Sequence, residues 1–206
     1  MILNKKMTLW LIILITPIIG GLYGILNDQL TYTISPEFYT KLKFYQFGLM
    51  EIGNEPIFRN PRIEVAEVGF MATWWIGLPI GLILGFVGLI HEDSKEMLRV
   101  TLRAIVVTAI VAFASGLVGL AYGKFHLAMR GVSGWLPDNL IDKENFIAVG
   151  SMHDFSYFGG LIGVIIGAIY SVRQKRDDAT TDMGSNKNAE NNGRFIKGEQ
   201  YEIPTG

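Results

Sequence analysis

The sequence predicts an all-α integral membrane four-helix bundle, with a short outer interfacial helix and a disordered cytoplasmic tail. Half of the 206 residues are hydrophobic, only 18% are charged, and glycine occurs 24 times. An average soluble domain carries more charge than this. Four apolar stretches also approach or exceed the roughly 20 residues that a helix needs to cross the hydrocarbon core of a bilayer.

The apolar stretches define one transmembrane domain, residues 1–172, with four spans and two external loops. The chain then loses its hydrophobic pattern, and residues 173–206 are predicted to form the disordered tail because they are rich in Asn, Asp, Gly, Thr and Lys. The first apolar stretch has no small-x-small cleavage site after it, so we interpret it as an uncleaved anchor. The spans lie at about 7–26, 65–90, 98–122 and 155–172, and the external loops at 27–64 and 123–154.

Basic residues close to the span ends predict the orientation. They precede the first span, cluster between the second and third spans, and follow the fourth span. Cytoplasmic loops carry an excess of Lys and Arg, so both termini are predicted to be cytoplasmic. The residues concerned are Lys5, Lys6, Lys95, Arg99, Arg103, Arg173, Lys175 and Arg176.

Small residues recur at every fourth position in three spans, which places them on one face of each helix. In lipid, such faces allow two helix backbones to approach closely. We interpret them as packing faces within one chain, with a homo-oligomeric interface and a glycine-lined pore as alternatives. The residues are Gly77, Gly81 and Gly85, then Ser115, Gly119 and Gly123, then Gly159, Gly163 and Gly167.

A short amphipathic helix is predicted from Pro36 to Phe47, in the first external loop. Ser35 is a good N-cap, and Pro36 suits the first helical position. Its apolar residues are Phe38, Tyr39, Leu42, Phe44 and Tyr45. Three interpretations remain open: contact with the membrane surface, a lid on the outer end of the bundle, and a docking surface for a partner protein.

Histidines and carboxylates near the outer ends of the spans are the candidate metal ligands: His126, His153, Asp154 and Glu67. Imidazole and carboxylate groups together can bind a divalent metal, and two histidines can hold a haem. No pair of histidines has the spacing of a helical metal motif, so a structural role for His153 is favoured. No cofactor is predicted beyond this possible outer-face metal. His91, beside Glu92 and Asp93, is predicted to be a solvated cytoplasmic residue.

Composition excludes several classes of function and leaves few partners. Without cysteine, the chain can form neither disulfides nor thiolate metal sites. A net charge of -1 gives no basis for binding nucleic acid. The expected partners are the lipid bilayer, other membrane proteins, or further copies of this chain.

Three sequence runs carry a resemblance to a known family: Tyr32 to Phe38 with Lys43-Phe44 and Phe47-Gly48, Ala72 to Leu78, and His153 to Gly160. Together they resemble a family of uncharacterised bacterial inner-membrane proteins with four spans, over roughly residues 5–172. The resemblance implies a location in the bacterial inner membrane. It implies no activity or substrate.

The expected function is that of a non-enzymatic accessory or scaffold subunit, which packs with partner membrane proteins. A small channel or transporter is the first alternative, and a metal-dependent membrane enzyme with an outer-face site is the second. A proton- or ion-coupled transporter normally needs an ionisable group well inside a span, and the predicted spans carry none in their deep parts.

Overall fold

The computed structural model describes the backbone of residues 4–51, 58–132 and 136–198, and the side chains of these ranges as far as residue 177. All regular elements of these ranges are helical, which confirms the all-α prediction. Four helices are long: α1 (Lys5–Ile34), α3 (Pro61–Gly88), α4 (Ser94–Arg130) and α5 (Lys143–Gly198). The short α2 consists of the consecutive pieces Pro36–Phe38, Tyr39–Lys43 and Phe44–Gln46, of which the second is π-helical.

The four long helices are each long and apolar enough to cross a membrane, by length and composition. Their outward surfaces carry large, exposed apolar side chains, such as Trp10 on α1, Phe86 on α3 and Ile110 on α4. In a bilayer these side chains face lipid, where their exposure costs nothing. The predicted four-helix bundle is therefore confirmed as the fold class.

The predicted external loops, 27–64 and 123–154, are longer than the corresponding loops of the structure. α1 continues to Ile34, α4 continues to Arg130 through a π-helical turn, and α5 begins at Lys143. Hydropathy detects only the apolar part of a helix, whereas helical hydrogen bonding continues until a residue breaks it. The break after α4 is Gly131, whose φ of 76° suits glycine.

Polar caps fix the beginnings of the helices. Asn60 caps α3 by accepting a hydrogen bond from the backbone N–H of Arg62, and Pro61 occupies the first helical position, as this residue pair predicts. Asp142 precedes α5 and accepts a hydrogen bond from the backbone N–H of Asn145 at 3.1 Å. This cap starts α5 well before its apolar stretch.

The prediction of a disordered tail from residue 173 differs from the structure, in which α5 continues to Gly198. Residues 143–198 contain no proline, so each residue can donate its backbone N–H to the helix. The low hydrophobicity that indicated disorder does not by itself break a helix. Residues 199–206 lie outside the described residues.

The long helices pack as two antiparallel pairs, α1 with α3 and α4 with α5, and contacts between the pairs are far fewer. Small residues bring the backbones together within each pair. A Cβ on Gly77 would lie 2.5 Å from the carbonyl oxygen of Thr16, and one on Gly163 would lie 2.7 Å from that of Thr108. The other small residues of these faces also meet the partner helix: Gly81, Gly85, Ser115, Gly119, Gly123, Gly159 and Gly167.

Two apolar clusters close the two ends of the bundle. At the end covered by α2, called the lid end here, the buried cluster comprises Phe38, Tyr39, Phe44, Val65, Val68, Phe146 and Val149. At the opposite end, called the Lys5 end, it comprises Ile12, Leu84, Met97, Ala104 and Ile105. Between these clusters the two helix pairs leave a cavity.

Candidate functional site

Residues 36–46 form a lid over one end of the bundle. Phe38, Tyr39 and Phe44 are buried, Leu42 is half-buried, and Tyr45 is exposed. The buried rings pack on α3 and α5 through the apolar cluster of the lid end. Of the three interpretations of this segment, the structure matches a lid on the bundle's own end.

Hydrogen bonds tie the lid to both helix pairs. The hydroxyls of Tyr39 and Thr31 on α1 lie 2.6 Å apart. The carboxylate of Glu37 accepts hydrogen bonds from the backbone N–H groups of Ile141 and Asp142, the latter at 2.7 Å. These N–H groups precede α5, so the lid bridges α1 and the start of α5.

Beneath the lid, Asp28 on α1 meets His153 on α5. The two side chains are only 2% and 7% exposed, and Oδ1 of Asp28 lies 3.2 Å from Nε2 of His153. The ring of Phe38 stacks on the imidazole, with centroids 5.1 Å apart and planes 21° apart. This polar pair therefore joins the two helix pairs under an aromatic cover.

The contacts of His153 define the hydrogens that its pairing with Asp28 requires. Nδ1 lies 2.9 Å from the carbonyl oxygen of Val149, which can only accept, so Nδ1 carries a hydrogen. A hydrogen bond between Nε2 and Oδ1 of Asp28 needs a second hydrogen, on either atom. The pair is then an imidazolium with a carboxylate, or an imidazole with a carboxylic acid, and it has no net charge in either form.

Lys43 and Tyr39 of the lid bring further polar groups to this pair. Burial lowers the pKa of the Lys43 ammonium, and the nearby Asp28 carboxylate opposes this shift. Burial, followed by the charge of Asp28, raises the pKa of the Tyr39 hydroxyl. Two buried acceptors, Oδ2 of Asp28 and Oδ1 of Asn27, have no hydrogen-bond partner within the described part of the chain.

A cavity of about 400 Å³ lies between the two helix pairs, and Asp28 and His153 line one end of it. Tyr23 and Ser156 line the same end, and their hydroxyl oxygens lie 2.6 Å apart. The volume falls within the roughly 300–1,000 Å³ of small-molecule sites, which combine apolar walls with a few polar groups.

The four candidate metal ligands do not form one cluster in the structure. Both ring nitrogens of His153 are engaged, and the ring of His126 stacks on Tyr122 with centroids 4.9 Å apart. Asp154 and Glu67 are exposed. Within the described ranges, no group of three or more His, Asp or Glu side chains could hold a metal ion.

The prediction that His91 is solvated is wrong, because its side chain is fully buried. Its Nδ1 lies 2.8 Å from Oε1 of Glu96, and its Nε2 lies 3.0 Å from the Ser171 hydroxyl. Each ring nitrogen of His91 is therefore within hydrogen-bond distance of a polar side chain. His91 therefore joins the α3–α4 turn to α5 at the Lys5 end, where sequence position alone suggests an exposed loop.

Asp28, Tyr23 and Lys43 are the site residues that sequence reasoning missed. Asp28 falls just outside the predicted first span, in the predicted loop 27–64. The polar residues Asp28, Thr31 and Ser35 recur at intervals of three and four, which is the pattern of a continuing helix face. That periodicity was the available signal for a longer α1 with a polar face.

The fold and the composition define a multi-pass membrane protein with four candidate membrane-spanning helices. No family model, no curated protein and no solved structure matches the chain. Its function is therefore argued from the polar pair and the cavity.

Proposed function

We propose that the protein is a small proton-coupled membrane transporter. The observation that carries this proposal is the buried Asp28–His153 pair, which lies within two candidate membrane spans and joins the two helix pairs. The hydrogen shared in this contact is the proposed coupled proton. Ionisable groups buried within membrane-spanning helices are costly, and in pumps and transporters they serve as proton relays. The adjoining cavity supplies a place for a substrate.

A proton-coupled transporter needs an ionisable group inside its spans. α1 extends beyond the predicted first span and buries Asp28 against His153, which supports this function. The observations behind an accessory subunit are weaker, because the lid aromatics and the small-residue faces contact the chain's own helices. Neither feature is left free for a partner protein.

Proton loss supplies a physical means of moving the two helix pairs. Once the shared proton leaves, the lone pair of Nε2 on His153 faces a carboxylate oxygen of Asp28 with no hydrogen between them. The attraction becomes a repulsion, and contacts between the two pairs are fewer than those within each pair. The pairs then separate at the lid end, and the cavity opens toward that side, as alternating access requires.

The proposed location is the bacterial inner membrane, with both termini in the cytoplasm. The distribution of basic residues and the family resemblance support this location. In this orientation the lid end faces outward, so protons from outside reach the Asp28–His153 pair when the lid end opens.

A distance measurement between the helix pairs tests the proposal. The chain has no cysteine, so spin labels can be placed at Ile63→Cys on α3 and Met129→Cys on α4, both exposed near the lid end. In lipid nanodiscs, the distance between the labels is expected to lengthen as the pH is raised.

Two substitutions at Asp28 distinguish the effect of the ionisable proton from the effect of the hydrogen bond to His153. Asp28→Asn keeps a donor for Nε2 of His153 without an ionisable proton, so the short distance should persist at every pH. Asp28→Ala removes the bond, so the long distance should appear at every pH. An unchanged distance in the parent, or the parent's pH response in Asp28→Asn, contradicts the proposal.

A further inference from the structure

The cavity between the helix pairs is elongated, and Asp28 and His153 lie at one end of it. On α1 its lining runs from Thr16 to Asp28, and on α5 from Ile165 to His153. Each of these stretches rises by about 18 Å, at about 1.5 Å per residue. The ionisable residues lie at the lid end of both stretches. The cavity therefore matches, in length and in polarity, a hydrocarbon chain with one polar end.

The walls away from the lid end offer a ligand almost no hydrogen bonds. They consist largely of aliphatic side chains, including Ile76, Ile80 and Val164. The threonines among them are already engaged: the Thr16 hydroxyl donates to the carbonyl of Ile12, and the Thr108 hydroxyl to that of Ala104. Such walls accept a hydrocarbon chain, which is also the chemistry of the surrounding bilayer.

The lid end of the cavity is lined by hydroxyl groups and by the Asp28–His153 pair, and the nearby buried Lys43 does not line it. Tyr23, Ser156 and Tyr157 contribute hydroxyls, while Asp28 and His153 neutralise each other through the shared proton. A carboxylate or ammonium head would enter this site without a counter-charge, and burying such an unpaired ion is costly. An uncharged hydroxyl can both donate and accept hydrogen bonds here.

We infer that the cavity binds a single-chain lipid alcohol, with its chain along the aliphatic walls and its hydroxyl at the lid end. This inference rests on the proposed function in one respect, since it names the substrate class of the same transporter. Binding itself depends on the cavity and can be measured without transport or pH change.

Gly160 provides a way to block the cavity without disturbing the helix packing. It lines the cavity, and a Cβ built on it meets no atom within 4 Å. Gly160→Phe therefore places a ring in the space that the chain would occupy. Ile162→Phe is the matched control, because Ile162 lies on the same helix, is exposed, and does not line the cavity.

The probes are tetradecanol, tetradecanoate and tetradecylammonium, each at the same mole fraction in phosphatidylcholine nanodiscs that hold the full chain. Native mass spectrometry measures the fraction of protein with one bound probe. Tetradecanol is expected to bind at least tenfold more tightly than either ion. Gly160→Phe should lose this binding, and Ile162→Phe should retain it.

Each of the other outcomes contradicts a specific part of the inference. Equal or tighter binding of an ion overturns the uncharged head group, and equal binding to Gly160→Phe overturns the cavity as the site. No binding of any probe to the parent overturns the inference as a whole. The pH-dependent label distance is measured separately, so a proton-linked transporter with another substrate remains distinguishable from a protein that does not move.

Discussion

The ring of Phe38 lies flat on the imidazole of His153, with centroids 5.1 Å apart. Phe38 belongs to the lid, and His153 belongs to the pair that joins α1 to α5. One side chain of the lid therefore both covers the Asp28–His153 pair and fixes the plane of the imidazole. Lid packing and the geometry of the pair depend on each other.

Removing this ring should destabilise the lid end. Phe38→Ala deletes a buried aromatic side chain, so we expect a loss of about 3–5 kcal/mol in the free energy of unfolding. Thermal unfolding in detergent measures the effect. Tyr45→Ala in the same lid is the control, because Tyr45 is 48% exposed and should change little. Equal melting temperatures for both variants would contradict the packing described for the lid.

Close backbone contact between α4 and α5 should make Gly163 intolerant of a methyl group. A Cβ there would lie 2.7 Å from the carbonyl oxygen of Thr108, and backbone cannot yield as a flexible side chain does. Gly163→Ala is expected to cost about 1–3 kcal/mol through overpacking.

Gly160→Ala is the matched control for this measurement. It lies one turn away on the same helix, and its added Cβ meets open space. Because alanine has a greater helix propensity than glycine, Gly160→Ala should leave the free energy of unfolding unchanged or slightly higher. If Gly163→Ala and Gly160→Ala have the same melting temperature, close packing at Gly163 does not hold α4 and α5 together.

The cap of α4 should make a pH-dependent contribution to stability. Asp93 accepts hydrogen bonds from the backbone N–H groups of Glu96 and Lys95, and these bonds lower its pKa in the folded protein. A lowered folded pKa means that the contribution is present above the unfolded value, about 3.9, and is lost as the pH falls through the folded value.

The measurement compares melting temperatures of Asp93→Ala and the parent as the pH falls. The variant should melt lower at neutral pH, and the difference should shrink in acid. Asp93→Asn keeps a good cap without a titrating group, so its deficit at neutral pH should be smaller. A deficit for Asp93→Ala that stays constant with pH would mean that the carboxylate charge contributes nothing.

The proposed orientation can be tested with phosphatase fusions, which are active only outside the cytoplasm. A fusion in the loop at Pro137 should be active, because this loop lies at the lid end. A fusion after Asp177 should be inactive, because the basic residues after the fourth span predict a cytoplasmic location. The reverse pattern would place the lid end on the cytoplasmic side and reverse the direction of the proposed proton path.

The sequence by itself determined that the fold is an all-α membrane bundle and that it has four spans. Long apolar stretches can satisfy their backbone groups in lipid only as helices, so hydropathy predicts the four helices directly. The Asn60 cap of α3 is equally local, since a cap acts within a single turn. Both features depend on residues that are close together along the chain.

Only the tertiary structure decided which polar residues meet. Asp28 and His153 are far apart in the sequence, and their contact exists because α1 continues past its apolar stretch while α5 begins before its own. The burial of His91 is also tertiary, because Ser171 reaches it from the far end of the chain. Hydropathy records the affinity of a segment for lipid, but not which helix faces it across the bundle. The Asp28–His153 contact and the cavity depend on that second property.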